Sequence, residues 1–178
     1  MSAPLPPTPG QTVGPFFGYA LPFDGGSDLV PPASPGAVRL HGRVLDGDGA
    51  PVPDALLELW QTDAAGNVPR AAGSLHRDGW TFTGWGRVAT DAEGRYGFST
   101  VRPAAPFLSL TVFARGLLDR LWTRVYLPDD ADALAADPLL QGLPSQRRAT
   151  LVAQPDVTGY RFDVVLQGPD ETVFLTRR

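Results

Sequence analysis

Along much of the chain hydrophobic residues recur at every second position, the period of a β-strand with one buried face. Val38, Leu40, Gly42 and Val44 share one side of a first run. In a second run Leu57 and Leu59 alternate with Leu56, Glu58 and Trp60. Between them Asp46-Gly47-Asp48-Gly49 supplies residues that tolerate positive φ, so Val38 to Trp60 reads as a β-hairpin with one face covered by another sheet. Further short strands are predicted over 86–90 and 95–100, joined by turn residues at Asp91-Ala92-Glu93-Gly94. From Phe107 to Arg115, Leu108, Leu110, Val112 and Ala114 make a uniformly apolar core face; the chain reverses over 116–120 and returns from Leu121 to Leu127. Runs at 149–153, 160–167 and 172–175 complete the strands, with Tyr160, Phe162, Val164 and Leu166 as a last apolar stripe. One region, Asp129 to Leu143, reads as helical, because Asp130 can cap a turn and Asp137 stands as an N-cap before Pro138.

Composition supports this pattern. Twenty glycines and 19 prolines interrupt nearly every potential helix, which favours an all-β fold, an antiparallel β-sandwich with long loops and one short helical region. A chain of 178 residues suits a single domain, which at this size buries roughly 70% of the surface its unfolded chain exposes. Residues 1–36 read as an extended arm and loop and 37–178 as the sandwich. The arm is proline-rich at first, yet Phe16, Phe17, Tyr19 and Phe23 crowd its second half. Four aromatics so close together predict packing against the sandwich or a partner.

Charge and chemistry narrow the function. The formal charge is −4, with no basic stripe for nucleic acid and no run of membrane-spanning length. Neither a basic n-region nor an apolar h-region opens the chain, so a cytoplasmic protein is expected. The absence of cysteine removes disulfides and thiolate metal sites. His41 and His76, the two histidines, are not spaced as a ligand pair: His41 reads as a packed or edge residue and His76 as a solvated one. Asp46 and Asp48 read as turn residues rather than calcium ligands. No Gly-x-Ser-x-Gly elbow or serine–histidine arrangement is present. Taken by itself, Arg115 reads as an ion-pair or solvated residue.

Six segments in order carry a resemblance: Thr12-Val13-Gly14-Pro15-Phe16; Gly42 to Gly49 with Glu58-Leu59-Trp60-Gln61; Arg95-Tyr96-Gly97-Phe98; Val112-Phe113-Ala114-Arg115-Gly116; Thr123 to Leu127; and Tyr160-Arg161-Phe162-Asp163. Together they resemble the intradiol ring-cleavage dioxygenases over almost the whole chain. The resemblance implies an antiparallel β-sandwich and an enzyme that cleaves protocatechuate with O2 to 3-carboxy-cis,cis-muconate at a non-haem ferric centre.

In catalytic members two tyrosines and two histidines bind the iron, the histidines two apart on one strand. Here Phe107 and Ser109 occupy the histidine positions, Val68 stands at the first tyrosine position, and the shortened loop from Val101 to Pro106 contains no tyrosine. A phenyl ring cannot coordinate a metal and a lone hydroxyl is a poor ligand. The resemblance therefore implies a metal-free alpha-like subunit, not catalytic alone, whose iron-bearing beta partner has the same fold and holds Fe(III) at a shared interface. It further implies that Thr12, Gly14, Pro15 and Phe16 wall that site and that Arg115 reaches the substrate carboxylate, a task for which guanidinium is suited. Phe16 replaces a tyrosine found in many relatives, leaving stacking or enclosure at that position. Two other classes stay open: a stand-alone β-sandwich binding module, and a transthyretin-like accessory domain sharing the Asp-Gly-x-Gly-x-Pro-Val turn.

Overall fold

The first alternating run folds as a strand and then parts from its predicted partner. The computed structural model describes residues 12–14, 17–70, 75 and 77–176. Its strands are β1 (Ala37–Leu45), β2 (Leu56–Trp60), β3 (Trp85–Ala89), β4 (Arg95–Val101), β5 (Phe107–Phe113), β6 (Leu121–Tyr126), β7 (Gln154–Asp156), β8 (Gly159–Arg161) and β9 (Val164–Val165). They form two sheets, one in the order β4-β1-β8-β7 with β9 also on β1, the other β3-β2-β5-β6.

β1 and β2 thus lie in different sheets, and the expected hairpin is confined to its tip. Asp46 Oδ1 accepts from the amides of Asp48 and Ala50 at 3.0 and 2.8 Å, closing the turn, with Gly49 at φ 79°. Beyond a single bridge between Leu45 and Pro51 the ladder stops, because Pro51 and Pro53 have no amide to donate. Asp54 then adopts φ 57° and turns the chain toward the second sheet. Buried Thr90 clamps this crossing: its hydroxyl accepts from Ala55 N at 2.9 Å and donates to Val52 O at 2.8 Å.

The second sheet is antiparallel throughout, whereas β8 and β9 run parallel to β1 along its second edge. Between those two strands the Phe162 carbonyl swings across Gly42, where a side-chain carbon would lie 1.9 Å from the oxygen. Only glycine permits that approach. The Tyr96 hydroxyl donates to the same carbonyl at 2.5 Å.

Between the sheets Leu57, Leu59, Leu108, Leu110, Val112 and Val125 pack against Leu40, Val44, Tyr96, Phe98, Phe162 and Val164. Each such side chain contributes about 1.5–3 kcal/mol when fully buried, so this layer holds the sandwich together. The predicted apolar faces of β5 and of the Tyr160 stripe are the ones that point inward.

Helical structure extends further than the one region expected. α1 (Phe17–Ala20) lies in the arm read as extended. The Asp129 region splits into α2 (Ala131–Ala136) and α3 (Pro138–Gln141), capped by Asp130 and Asp137 as predicted. α4 (Ser145–Ala149) overlaps the run read as a strand at 149–153, of which Val152 alone makes a bridge, to Tyr126. Residues 172–175 likewise pair only singly, Thr172 N to Val165 O and Leu175 N to Trp122 O. The arm does pack on the sandwich: Phe17 is buried, Phe23 stacks on Trp85 at 5.9 Å, and Arg87 Nη1 donates to Leu21 O at 3.1 Å. Met1 to Gln11 lie outside the described residues.

Candidate functional site

β5 carries both places that the sequence nominates for chemistry, one at each end. Past its C-terminal end, Ala114 is buried and Arg115 emerges to the surface with 59% of its side chain exposed. Arg115 Nη2 meets Asp54 Oδ2 at 2.7 Å. The next amide, that of Gly116, donates to Thr12 Oγ1 at 2.9 Å, so the N-terminal arm lies against the segment that holds Arg115. A cleft of about 380 Å³, bordered by Thr12, Val13, Phe113 and Leu117, opens between the arm and the reversal into β6. Gly14 is exposed with open space around it, and its carbonyl accepts from Phe17 N at 3.2 Å, leading the arm into α1. Pro15 and Phe16 lie outside the described residues. Thr12 is therefore held against the residue that follows Arg115, while the Arg115 guanidinium itself turns to Asp54 and neither it nor Gly14 lines the cleft. The sequence reading passes over Asp54; its local signal, an aspartate after proline in a turn, predicts the turn but not the distant arginine.

At the other end of β5, Phe107 and Ser109 point to the outer face of the second sheet, away from the core. Ser109 Oγ accepts from Trp122 Nε1 at 2.6 Å. The Arg124 guanidinium lies over the Phe107 ring at 3.9 Å, donates to Tyr126 Oη at 3.2 Å, and stands 3.7 Å from Asp137 Oδ2. Tyr126 Oη donates to Asp137 Oδ1 at 3.0 Å, and the same oxygen accepts the amides of Leu139 and Leu140 at the start of α3. Burial raises the Tyr126 pKa, so the hydroxyl keeps its proton.

The remaining sequence candidates fall elsewhere. His41 Nε2 lies 3.0 Å from Asp156 Oδ2 and 2.9 Å from Thr158 Oγ1, fastening β1 to the β7–β8 turn. His76 lies outside the described residues. Outside those candidates, Arg147 Nη1 donates to Glu171 O and Arg148 Nη2 to Leu143 O at 3.3 Å.

A family model described as a dioxygenase matches residues 14–110. The chain is also 46% identical to the protocatechuate 3,4-dioxygenase alpha chain of Burkholderia cepacia over 96% of its own length and 97% of that protein's. It belongs to the intradiol dioxygenase family. This dioxygenase chain is also 39% identical to the protocatechuate 3,4-dioxygenase beta chain of Burkholderia cepacia, over 76% of this chain and 66% of that one. Among solved structures it is similar to the dioxygenase domain of a dioxygenase and carbohydrate-binding fusion protein from Streptomyces sp. SirexAA-E, with a TM-score of 0.55, 26% identity and coverage of 92% and 99% of the two chains.

For a member of the intradiol dioxygenases, the fit of a ferric ion is the decisive chemical test. At the Phe107 end the group facing outward is a guanidinium, which keeps its charge at any working pH and would repel a metal cation. Ser109 is engaged by Trp122, Val68 has no donor atom, and among the described residues no group of three or more His, Cys, Asp or Glu converges. The described residues do not fit the family's iron. What they do offer is a surface guanidinium and an arm beside it, suited to holding an anionic small molecule.

Proposed function

We propose that this chain is the alpha-type subunit of a protocatechuate 3,4-dioxygenase, a single sandwich domain with an N-terminal arm, acting in the cytoplasm. It pairs with a beta-type subunit of the same fold that holds Fe(III), and together they cleave protocatechuate with O2 to 3-carboxy-cis,cis-muconate. The share of this chain is binding and enclosure. Arg115 receives the benzoate carboxylate through charge-assisted hydrogen bonds, while Thr12, Gly14, Pro15 and Phe16 wall one side and keep water from the ring. A fixed guanidinium sets the orientation of a planar substrate before reaction, and orientation alone can supply several kcal/mol toward a barrier.

The observation that carries this reading is the Thr12–Gly116 hydrogen bond. It joins Thr12 of the arm to the residue that follows Arg115, 104 positions away in the sequence, which supports a shared role for the arm and the arginine segment. Full-length similarity to an alpha chain and partial similarity to a beta chain support an assembly of two subunit types.

The test is gentle purification of the tagged chain from its own cells, followed by identification of co-purifying polypeptides, iron analysis and a ring-cleavage assay. The expected result is a second chain in equal amount, about one ferric ion per pair as a single catalytic site requires, and turnover of protocatechuate. A metal-free lone monomer without activity would overturn the proposal, as would iron retained by this chain after separation from its partner.

A further inference from the structure

We infer that Asp54 is the positioning residue for Arg115 and, through it, sets the preference for catechols that carry a ring carboxylate. This inference rests on the substrate role proposed for Arg115.

Asp54 combines an unusual backbone with an unusual partner. Among the described residues it is the only non-glycine with positive φ, a conformation that most side chains avoid but that aspartate and asparagine enter more readily. Such a conformation persists where the surroundings enforce it. Here they do: Pro53 precedes it, Thr90 Oγ1 grips Val52 O and Ala55 N on either side at 2.8 and 2.9 Å, and Thr90 N donates to Ala55 O at 2.8 Å. Gly18 of α1 approaches closely, with space for only an ordinary methyl contact 3.5 Å from the Asp54 Cβ. The carboxylate is thereby mounted on a rigid base.

Arg115 is the opposite, a long side chain on an exposed segment. Its contact with Asp54 is solvent-exposed on both sides, 59% and 37%, and exposed ion pairs contribute little to stability. The pairing is thus poorly explained as a support of the fold. Its geometry suits another use: Asp54 engages Nη2, and a guanidinium has five N–H donors in a planar fork. Holding one nitrogen fixes the plane of the fork and lowers the freedom lost when a second carboxylate arrives. A substrate without that carboxylate gains nothing from the arrangement.

The test uses the purified alpha–beta holoenzyme with Asp54→Asn, which keeps the shape and the tolerance of positive φ, and with Asp54→Gly, which relaxes the backbone and also removes the charge. Each is compared with wild type for KM and kcat on protocatechuate, and for inhibition by 4-hydroxybenzoate, which has the carboxylate, and by catechol, which lacks it. Both variants are expected to raise the protocatechuate KM and the 4-hydroxybenzoate inhibition constant roughly tenfold and to lower kcat on protocatechuate, as a mispositioned orienting group does, with catechol inhibition within about twofold. Added to Arg115→Ala, either change should have no further effect. If Arg115→Ala raises KM but the Asp54 variants do not, or if they shift catechol and the benzoate equally, the Asp54 inference falls alone. If Arg115→Ala itself leaves KM unchanged, the proposed carboxylate site falls with it.

Discussion

The two ends of β5 present a contrast between a charged group built into structure and one left at the surface. Near Phe107, Arg124 lies over an aromatic ring and is tied to Tyr126 and Asp137, and Asp137 in turn caps α3. Every member of that network depends on another, so none is available to a ligand without breaking the rest. Past Phe113, Arg115 stands exposed on one rigid support, and the amide of the next residue, Gly116, donates to Thr12 of the arm. The same strand therefore ends in an interlocked network on one side and leads into an exposed ion pair on the other. Chemistry expected of a family need not stay where its ligands usually sit.

The largest effect should come from cutting the interlocked end at its centre. Asp137→Ala removes the α3 cap, commonly worth about 1 kcal/mol. It also deprives the buried Tyr126 hydroxyl of its acceptor and Arg124 of its counter-charge, each adding about 1–3 kcal/mol. A loss of roughly 3–7 kcal/mol in urea denaturation is expected if these contributions add; a loss within about 0.5 kcal/mol would mean the network is not structural. Arg115→Ala at the exposed end should do the reverse. Charge-assisted hydrogen bonds are worth about 1.5–3 kcal/mol, so the holoenzyme KM for protocatechuate should rise between about tenfold and a hundredfold. Its denaturation midpoint should hardly move, since exposed pairs stabilise little. A stability loss with an unchanged KM would erase the contrast.

How much of this was legible depends on how local the signal is. The buried faces of β5 and of the Tyr160 stripe, and the caps at Asp130 and Asp137, follow from spacing within a few residues. Strand partnership does not: β1 and β2 look like a hairpin because their turn is one, and only Pro51 and Pro53 warn that the return strand cannot pair. At 149–153 a run too short to reveal its period hid the end of α4. Thr12 and Arg115 were reached through the family pattern. Asp54 could not be, since nothing in its neighbourhood encodes the arginine it will meet.

A smaller effect separates Asp54 from exposed carboxylates that serve only their own loop. Asp78 accepts from the amides of Trp80 and Thr81 at 2.8 and 2.7 Å and from the Thr81 hydroxyl at 2.6 Å. These bonds hold its carboxyl down at about 2, against an ordinary value of 3.8. A depressed folded-state pKa stabilises fully above the unfolded value and loses that contribution as pH falls. The stability gap between wild type and Asp78→Ala should therefore narrow from 3.8 down to about 2 and be constant above that window, while KM at neutral pH stays as in wild type. A KM change would place this loop in the site beside Arg115.

The smallest expected effect is none, and it tests whether the interlocked end can be opened. Phe107→His with Ser109→His restores two imidazoles on one face of β5, since alternate strand residues point the same way. Yet Arg124, paired with residue 109 across the β5–β6 ladder, still presents a permanent cation there, and Val68 and the 101–106 loop bring no phenolate. The double variant, separated from any partner, should take up no stoichiometric ferric ion and develop no visible tyrosinate-to-iron absorption when titrated with iron. Binding at one ion per chain would show that the two histidine positions alone closed this site. It would also show that the guanidinium over Phe107 is a replaceable neighbour rather than the reason a metal does not fit.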